Sequence, residues 1–134
     1  MFAVISVTEK QSKESILDTN IAPILAINDP DLLKSVPPSL AAATGMDALT
    51  HAIEAYTCKV SSPLTDALAL HAISLISGSL RDLVYKKTTA ACHDMMLGSL
   101  LAGIAFGYSD VAGVHCLAES LGGIYNTPHG VANS

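Results

Sequence analysis

Asp47 and His51 lie four residues apart inside Ala41 to Tyr56, an Ala-rich and otherwise apolar run. Good helix formers fill that run, so it is predicted helical, and a spacing of four puts both side chains on one face, one turn apart. Either residue alone would read as an exposed Asp or an ordinary helix histidine. Together on an apolar helix they are costly unless the fold brings partners to that face. Two histidines far along the chain are suited to the task. His115 opens a predicted helix on a small, apolar surface, and His129 is held between Pro128 and Gly130, a setting that suits a side chain that must be aimed. One carboxylate and three imidazoles make an O/N ligand set suited to a divalent first-row metal, iron or zinc before magnesium or calcium. A metal held this way can act as a Lewis acid on a substrate oxygen, which puts an enzyme first among the function classes.

Other chemistry-bearing residues are read more plainly. Glu119 is four residues after His115 and shares its helix face, so it can add a ligand, orient the histidine as an outer carboxylate, or act as a base; a helix-surface glutamate is the equal alternative. His71 reads as a satisfied core or surface histidine. His93, beside Cys92 and Asp94, starts a helix after a polar loop, which favours a solvated or capping role. Cys116 follows His115 directly, and adjacent helix residues do not share a face. No GxGxxG, P-loop, HExxH or GxSxG occurs, which removes the common nucleotide-binding and hydrolase signatures.

The chain has 134 residues, enough for one domain. Only 14% are charged, against the roughly 25% of an ordinary globular domain, so several helices must be apolar nearly all round and covered by other structure. The net charge is −5 with scattered Lys and Arg, which gives no basic stripe for nucleic acid or an anionic membrane. Three cysteines without a CxxC pair fit a reduced intracellular, cytoplasmic setting. The apolar start, Met1 to Val7, is too short for a secretory signal and lacks a basic region. The apolar run Met95 to Tyr108 falls short of the ~20 residues that cross a bilayer, so a buried helix is expected.

The element reading is mainly α after a short β start. Phe2 to Val7 is predicted as a strand, Glu9 to Glu14 as a turn, Ile21 to Ile27 as a second extended piece, and Asn28 to Asp31 as a turn. Helices are then expected over Ala41–Tyr56 with Ser39 as cap, over Leu64–Leu83, over Ala91–Tyr108, and over Gly113–Leu121, the last ended by Gly122-Gly123. Tyr125 to Gly130 is a turn that leads toward another helix.

Two stretches carry a family resemblance. Pro37-Pro38-Ser39-Leu40-Ala41-Ala42-Ala43-Thr44-Gly45-Met46-Asp47-Ala48-Leu49-Thr50-His51-Ala52-Ile53-Glu54-Ala55-Tyr56 resembles the first signature of the iron-containing (group III) alcohol dehydrogenases. Gly113-Val114-His115-Cys116-Leu117-Ala118-Glu119-Ser120-Leu121-Gly122-Gly123, through Pro128-His129-Gly130, resembles the second, and Pro63 to Leu70 between them is also typical. The likeness leans to the lactaldehyde reductase and propanediol oxidoreductase branch. It implies metal ligation by Asp47, His51, His115 and His129, with Fe(2+), or Zn(2+), as the metal. It places Lys13 near a bound NAD(P) and Val4 on the nicotinamide side. It implies hydride transfer between a primary alcohol or aldehyde and NAD(P), in a soluble homo-oligomer.

The implied fold is the helical metal-binding domain of the dehydroquinate synthase-like fold (residues 34–134, incomplete at its C-terminus), after a β remnant of the dinucleotide-binding domain (residues 1–33). Two departures stand out. Glu119 replaces a family histidine near substrate and nicotinamide, and makes Glu119 the candidate catalytic residue. Family members are also much longer, with Gly-rich and Thr-rich cofactor loops that would precede Met1. The rival reading is a non-catalytic metal-binding or oligomerising helical module; a metal hydrolase is more distant, for want of HExxH.

Overall fold

The computed structural model describes residues 2–134, leaving Met1 of the apolar start outside the described residues, and the side chains of Phe2, Leu17 and Thr19 are likewise not described. Strand β1 (Phe2–Val7) pairs antiparallel with β2 (Ser12–Leu17), with Ser6 opposite Lys13 and Val4 opposite Ser15. A 3-10 turn (Thr8–Lys10) and Gln11, in the left-handed region at φ 49, close the hairpin. The expected turn over Glu9–Glu14 is therefore shorter, and its second half is strand. The ribbon is mostly exposed, so β2 carries polar residues and no apolar alternation that would have marked it. The extended piece expected over Ile21–Ile27 is not a strand: a 3-10 turn (Thr19–Ile21) and irregular chain occupy it, and Ile24, Leu25 and Ile27 are exposed. Extended chain without a neighbouring strand has no ladder to join.

Asp29 then caps a 3-10 helix (Pro30–Ser35) by accepting from the Asp31 N–H at 3.0 Å. Leu33, where the sequence placed a domain boundary, packs against the helical core. Four long helices follow: α1 (Pro38–Thr57), α2 (Pro63–Tyr85), α3 (Thr89–Ser109) and α4 (Gly113–Tyr125), then one turn, α5 (His129–Ala132). Helix α1 begins at Pro38 with Pro37 as its cap, not Ser39, because proline at the first helical position loses only an N–H that had no partner. Ser62 caps α2 reciprocally with Thr65, and Thr88 caps α3 by accepting from the Ala91 N–H at 3.1 Å.

Short connections fold α1, α2 and α3 into mutual contact. Their common core is built mainly of small residues: Ala41, Ala48 and Ala52 from α1, Ala72 and Ile76 from α2, Cys92, Met95 and Ala102 from α3. A second cluster, Ala55, Ala69 and Ala105, continues it toward the other end. Alanine faces let the axes come close, with Ile76, Leu83 and Met95 the large side chains among them. The run Met95 to Tyr108 lies within the helix expected over Ala91–Tyr108, which Thr89, Ala90 and Ser109 lengthen slightly. Both α2 and α3 are long and apolar enough to cross a membrane by length and composition, but their buried faces form the bundle core.

Helix α4 does not stop at Gly122-Gly123; it runs on to Tyr125 and ends at Asn126, left-handed at φ 53. The two glycines serve packing instead. A Cβ on Gly123 would lie 2.8 Å from the Gln11 carbonyl oxygen, and one on Gly122 2.9 Å from the Lys13 side chain. The bare helix face thus seats the hairpin, and it brings Lys13 to the end of the bundle where α4 and α5 meet α1.

Candidate metal centre

Asp47 and His51 project from one face of α1, as their spacing requires. His115 comes from the first turn of α4 and His129 from the start of α5. One ligand atom from each of the four lies within 4.8 Å of every other. The His51 and His115 Nε2 atoms are 3.1 Å apart, and Asp47 Oδ1 lies 3.6 Å from His115 Nε2 and 3.7 Å from His129 Nε2. Asp47 Oδ2 is 3.9 Å from His51 Nε2. Donors about 2.1 Å from a shared ion have edges of roughly 3.0 Å (octahedral) to 3.4 Å (tetrahedral), so the observed spacings are close to those of a coordination shell. Hydrogen bonding alone accounts poorly for them: two ring nitrogens at 3.1 Å can share at most one proton, and a third ring converges on the same carboxylate. The donor set and its spacing fit a divalent cation.

The charges respond to this crowding. Burial, then the neighbouring His115, push His51 down to about 4, so its ring is neutral near pH 7 with a free lone pair. Burial opposes the charge on Asp47, but His115 and Asn133 outweigh it and hold the carboxyl below its ordinary value. Burial likewise works against a cationic His115, yet Asp47 and Glu54 raise it above the usual imidazole range.

Three supporting residues were not singled out in the sequence. Glu54 is 4% exposed, and its carboxylate accepts from the Val114 N–H at 2.7 Å and the His115 N–H at 3.3 Å, with His115 Nδ1 at 2.6 Å. Asn133, also buried, donates from Nδ2 to Asp47 Oδ1 at 2.6 Å, and its backbone carbonyl accepts from the Thr50 hydroxyl at 2.9 Å. Phe106 stacks on His51, with centroids 4.3 Å apart at 21°. A signal existed for two of them. Glu54 continues the stripe of Asp47 and His51 at the next turn of α1, and Asn133 is four after His129.

A cavity of ≈ 210 Å³ opens between the hairpin and α4. Val4, Ser6, Lys13, Phe106, Val111 and Glu119 line it, together with the three histidines. Register explains the hairpin's share, since Lys13 stands opposite Ser6 on the face that also carries Val4. Glu119 is half-buried in this wall and stands outside the four-residue group; the carboxylate on His115 is Glu54. A second cavity of ≈ 310 Å³, lined by Asp47, Thr44, Ser99 and Gly103, lies beyond His51 and Phe106, and the two stacked rings line both. His71 is exposed, and His93 is exposed beside Asp94, with His93 Nδ1 3.7 Å from Asp94 Oδ1. Cys116 is exposed and stands outside the four-residue group.

Residues 41–134 match the C-terminal domain of the Fe-containing alcohol dehydrogenase family. The chain belongs to that family. Among its relatives, alcohol dehydrogenase 4 of Saccharomyces cerevisiae is 49% identical over 135 residues, covering 99% of this chain and 35% of the yeast protein. Lactaldehyde reductase of Escherichia coli is 45% identical over 131 residues, or 98% of this chain and 34% of the relative. A crystal structure of 1,3-propanediol oxidoreductase superposes with a TM-score of 0.92 at 45% identity, over 98% of this chain and 35% of that one. The chain thus spans about a third of the length of the relatives it matches. Both the recognised family and the mainly helical fold agree with the sequence reading.

Proposed function

We propose that this chain is the metal-holding part of an NAD(P)-dependent alcohol dehydrogenase, with Asp47, His51, His115 and His129 as ligands to Fe(II), or alternatively Zn(II). The convergence of those four donors within 4.8 Å beside a cavity carries the reading. A divalent metal bound there supplies Lewis acidity toward an alcohol or aldehyde oxygen. The chain's own residues position: Val4, Phe106 and Val111 present apolar surface to the cavity, and Lys13 offers a cation to an anionic group of the dinucleotide. Glu119, in the place of a family histidine, is suited to take the hydroxyl proton from the substrate. Residues 1–33 belong to the cofactor side in this reading and residues 34–134 to the metal side. Three free thiols agree with a cytoplasmic home.

The test is direct. Metal-free protein titrated with Fe(II) under anaerobic conditions, or with Zn(II), is expected to bind one equivalent; binding of none would overturn the assignment. Hydride transfer is read separately, from NAD(P)H absorbance with a primary alcohol. In any species that turns over, Glu119→Gln is expected to lower kcat by about 10²-fold or more, as loss of a proton acceptor does, with metal content unchanged. Unchanged kcat would remove Glu119 from the chemistry.

One observation favours the second reading, an oligomerising module. Val114, Leu117, Leu121 and Ile124 are exposed at helical spacing along the outer face of α4. A second copy laid on that stripe gives a dimer on size exclusion, and a monomer at all concentrations would count against it.

A further inference from the structure

Helix α4 has no side-chain cap of its own: Ala112 stands at its N-cap, and no side chain there bonds the first turn. The N–H groups such a cap would take are those of the second and third helical residues, here Val114 and His115. Both are taken instead by Glu54, which reaches across from α1. The same carboxylate lies 2.6 Å from His115 Nδ1. A carboxylate held by two backbone donors accepts only, so the ring nitrogen facing it must carry a proton.

The geometry points to Glu54 as a positioning residue of the metal centre, one that caps α4 and fixes His115 with its proton on Nδ1, leaving Nε2 for the cation. This rests on the ligand assignment proposed above. Two constraints meet in one side chain, and both are needed. The cap sets where the first turn of α4 lies relative to α1, and so the distance from His115 Nε2 to His51 and Asp47. The Nδ1 contact sets the rotation of the ring and which nitrogen is free. Burial strengthens the effect, since the His115 side chain is 3% exposed and the Glu54 side chain 6%, with little water to substitute for either partner.

Glu54→Gln separates the two roles. An amide keeps one oxygen. If that oxygen accepts from Val114, the NH2 group faces His115 Nδ1 and drives the ring proton to Nε2, the atom the metal needs. If the amide turns over, its NH2 group faces the Val114 N–H, and that half of the cap is lost. The variant is therefore expected to lose about 10–100-fold in Zn(II) affinity, measured by competition with a chelator, while far-UV circular dichroism stays that of wild type. Affinity within about threefold of wild type in a folded variant would overturn the proposal, because a cap with no part in the metal centre lowers stability without touching affinity.

A second measurement needs no substitution. Long-range ¹⁵N–¹H correlation on the unsubstituted chain reports which ring nitrogens carry protons. His115 Nδ1 is expected to be protonated in the metal-free and Zn(II)-bound forms alike, and an unprotonated Nδ1 in either would overturn the assignment. The metal-free spectrum also separates two failures. Should wild type bind no Zn(II), the ligand reading fails, while the Nδ1 proton still tests the contact with Glu54.

Discussion

His115→Ala and Asp47→Asn are each expected to abolish tight metal binding, lowering affinity well beyond the ~10–100-fold that follows loss of an outer-shell partner. The reason lies in what each removes. His115 is the most enclosed of the four, and its Nε2 is the donor nearest both His51 and Asp47. Asp47 is the only carboxylate in the group and approaches all three imidazoles, so it supplies the charge that makes gathering them around a cation favourable. Asp47→Asn keeps the shape and removes that charge. Equilibrium dialysis followed by elemental analysis measures the outcome, and wild-type stoichiometry in either variant would refute the site. The metal-free fold should respond differently. Asp47→Asn leaves the helix intact, whereas His115→Ala strands the Glu54 carboxylate against α4 without its ring partner, and should lower the denaturation midpoint as well.

Gly130→Ala is expected to cost about 1–3 kcal/mol of stability and to weaken metal binding together with it. An added Cβ would lie 2.6 Å from the Ala43 carbonyl oxygen and 2.8 Å from its carbon. Backbone cannot swing aside as a side-chain tip can, so α5 must lift from α1. His129 is its first residue, and Asn133, which closes it, is tied to Thr50 and Asp47. One methyl group should therefore disturb His129, a proposed ligand, and the residue that steadies Asp47, another. Urea unfolding reads the first effect and metal titration the second. A variant with unchanged midpoint and unchanged affinity would show that α5 does not need this close seat.

The sequence marks α1, α2 and α3 by composition, and the first two also by punctuation at their starts: Pro37-Pro38 before α1 and Ser62-Pro63 before α2. It read the start poorly. Strand β2 is polar and exposed, so nothing in Ser12 to Leu17 alternates, whereas Ile21 to Ile27 is apolar yet joins no strand. Gly122-Gly123 reads locally as a helix stop, since helices commonly end at glycine. Their role is visible only once the hairpin is laid on α4, where any Cβ would meet Gln11 or Lys13.

By itself the sequence determined the helical character of this chain and the candidate quartet Asp47, His51, His115 and His129. Those follow from local terms: propensity, spacing on a helix face, and the chemistry of imidazole and carboxylate. The signature stretches around them also pointed to the right family. Only the tertiary structure decided that the four donors meet, that Glu54 rather than Glu119 holds His115, and that Asn133 steadies Asp47. Glu54 and His115 are brought together where the first turn of α4 reaches α1, and Asn133 reaches Asp47 because α5 docks on the same helix. A hydrogen bond between residues so distant in sequence has no local correlate, since it exists only after the chain has closed the loop that joins them.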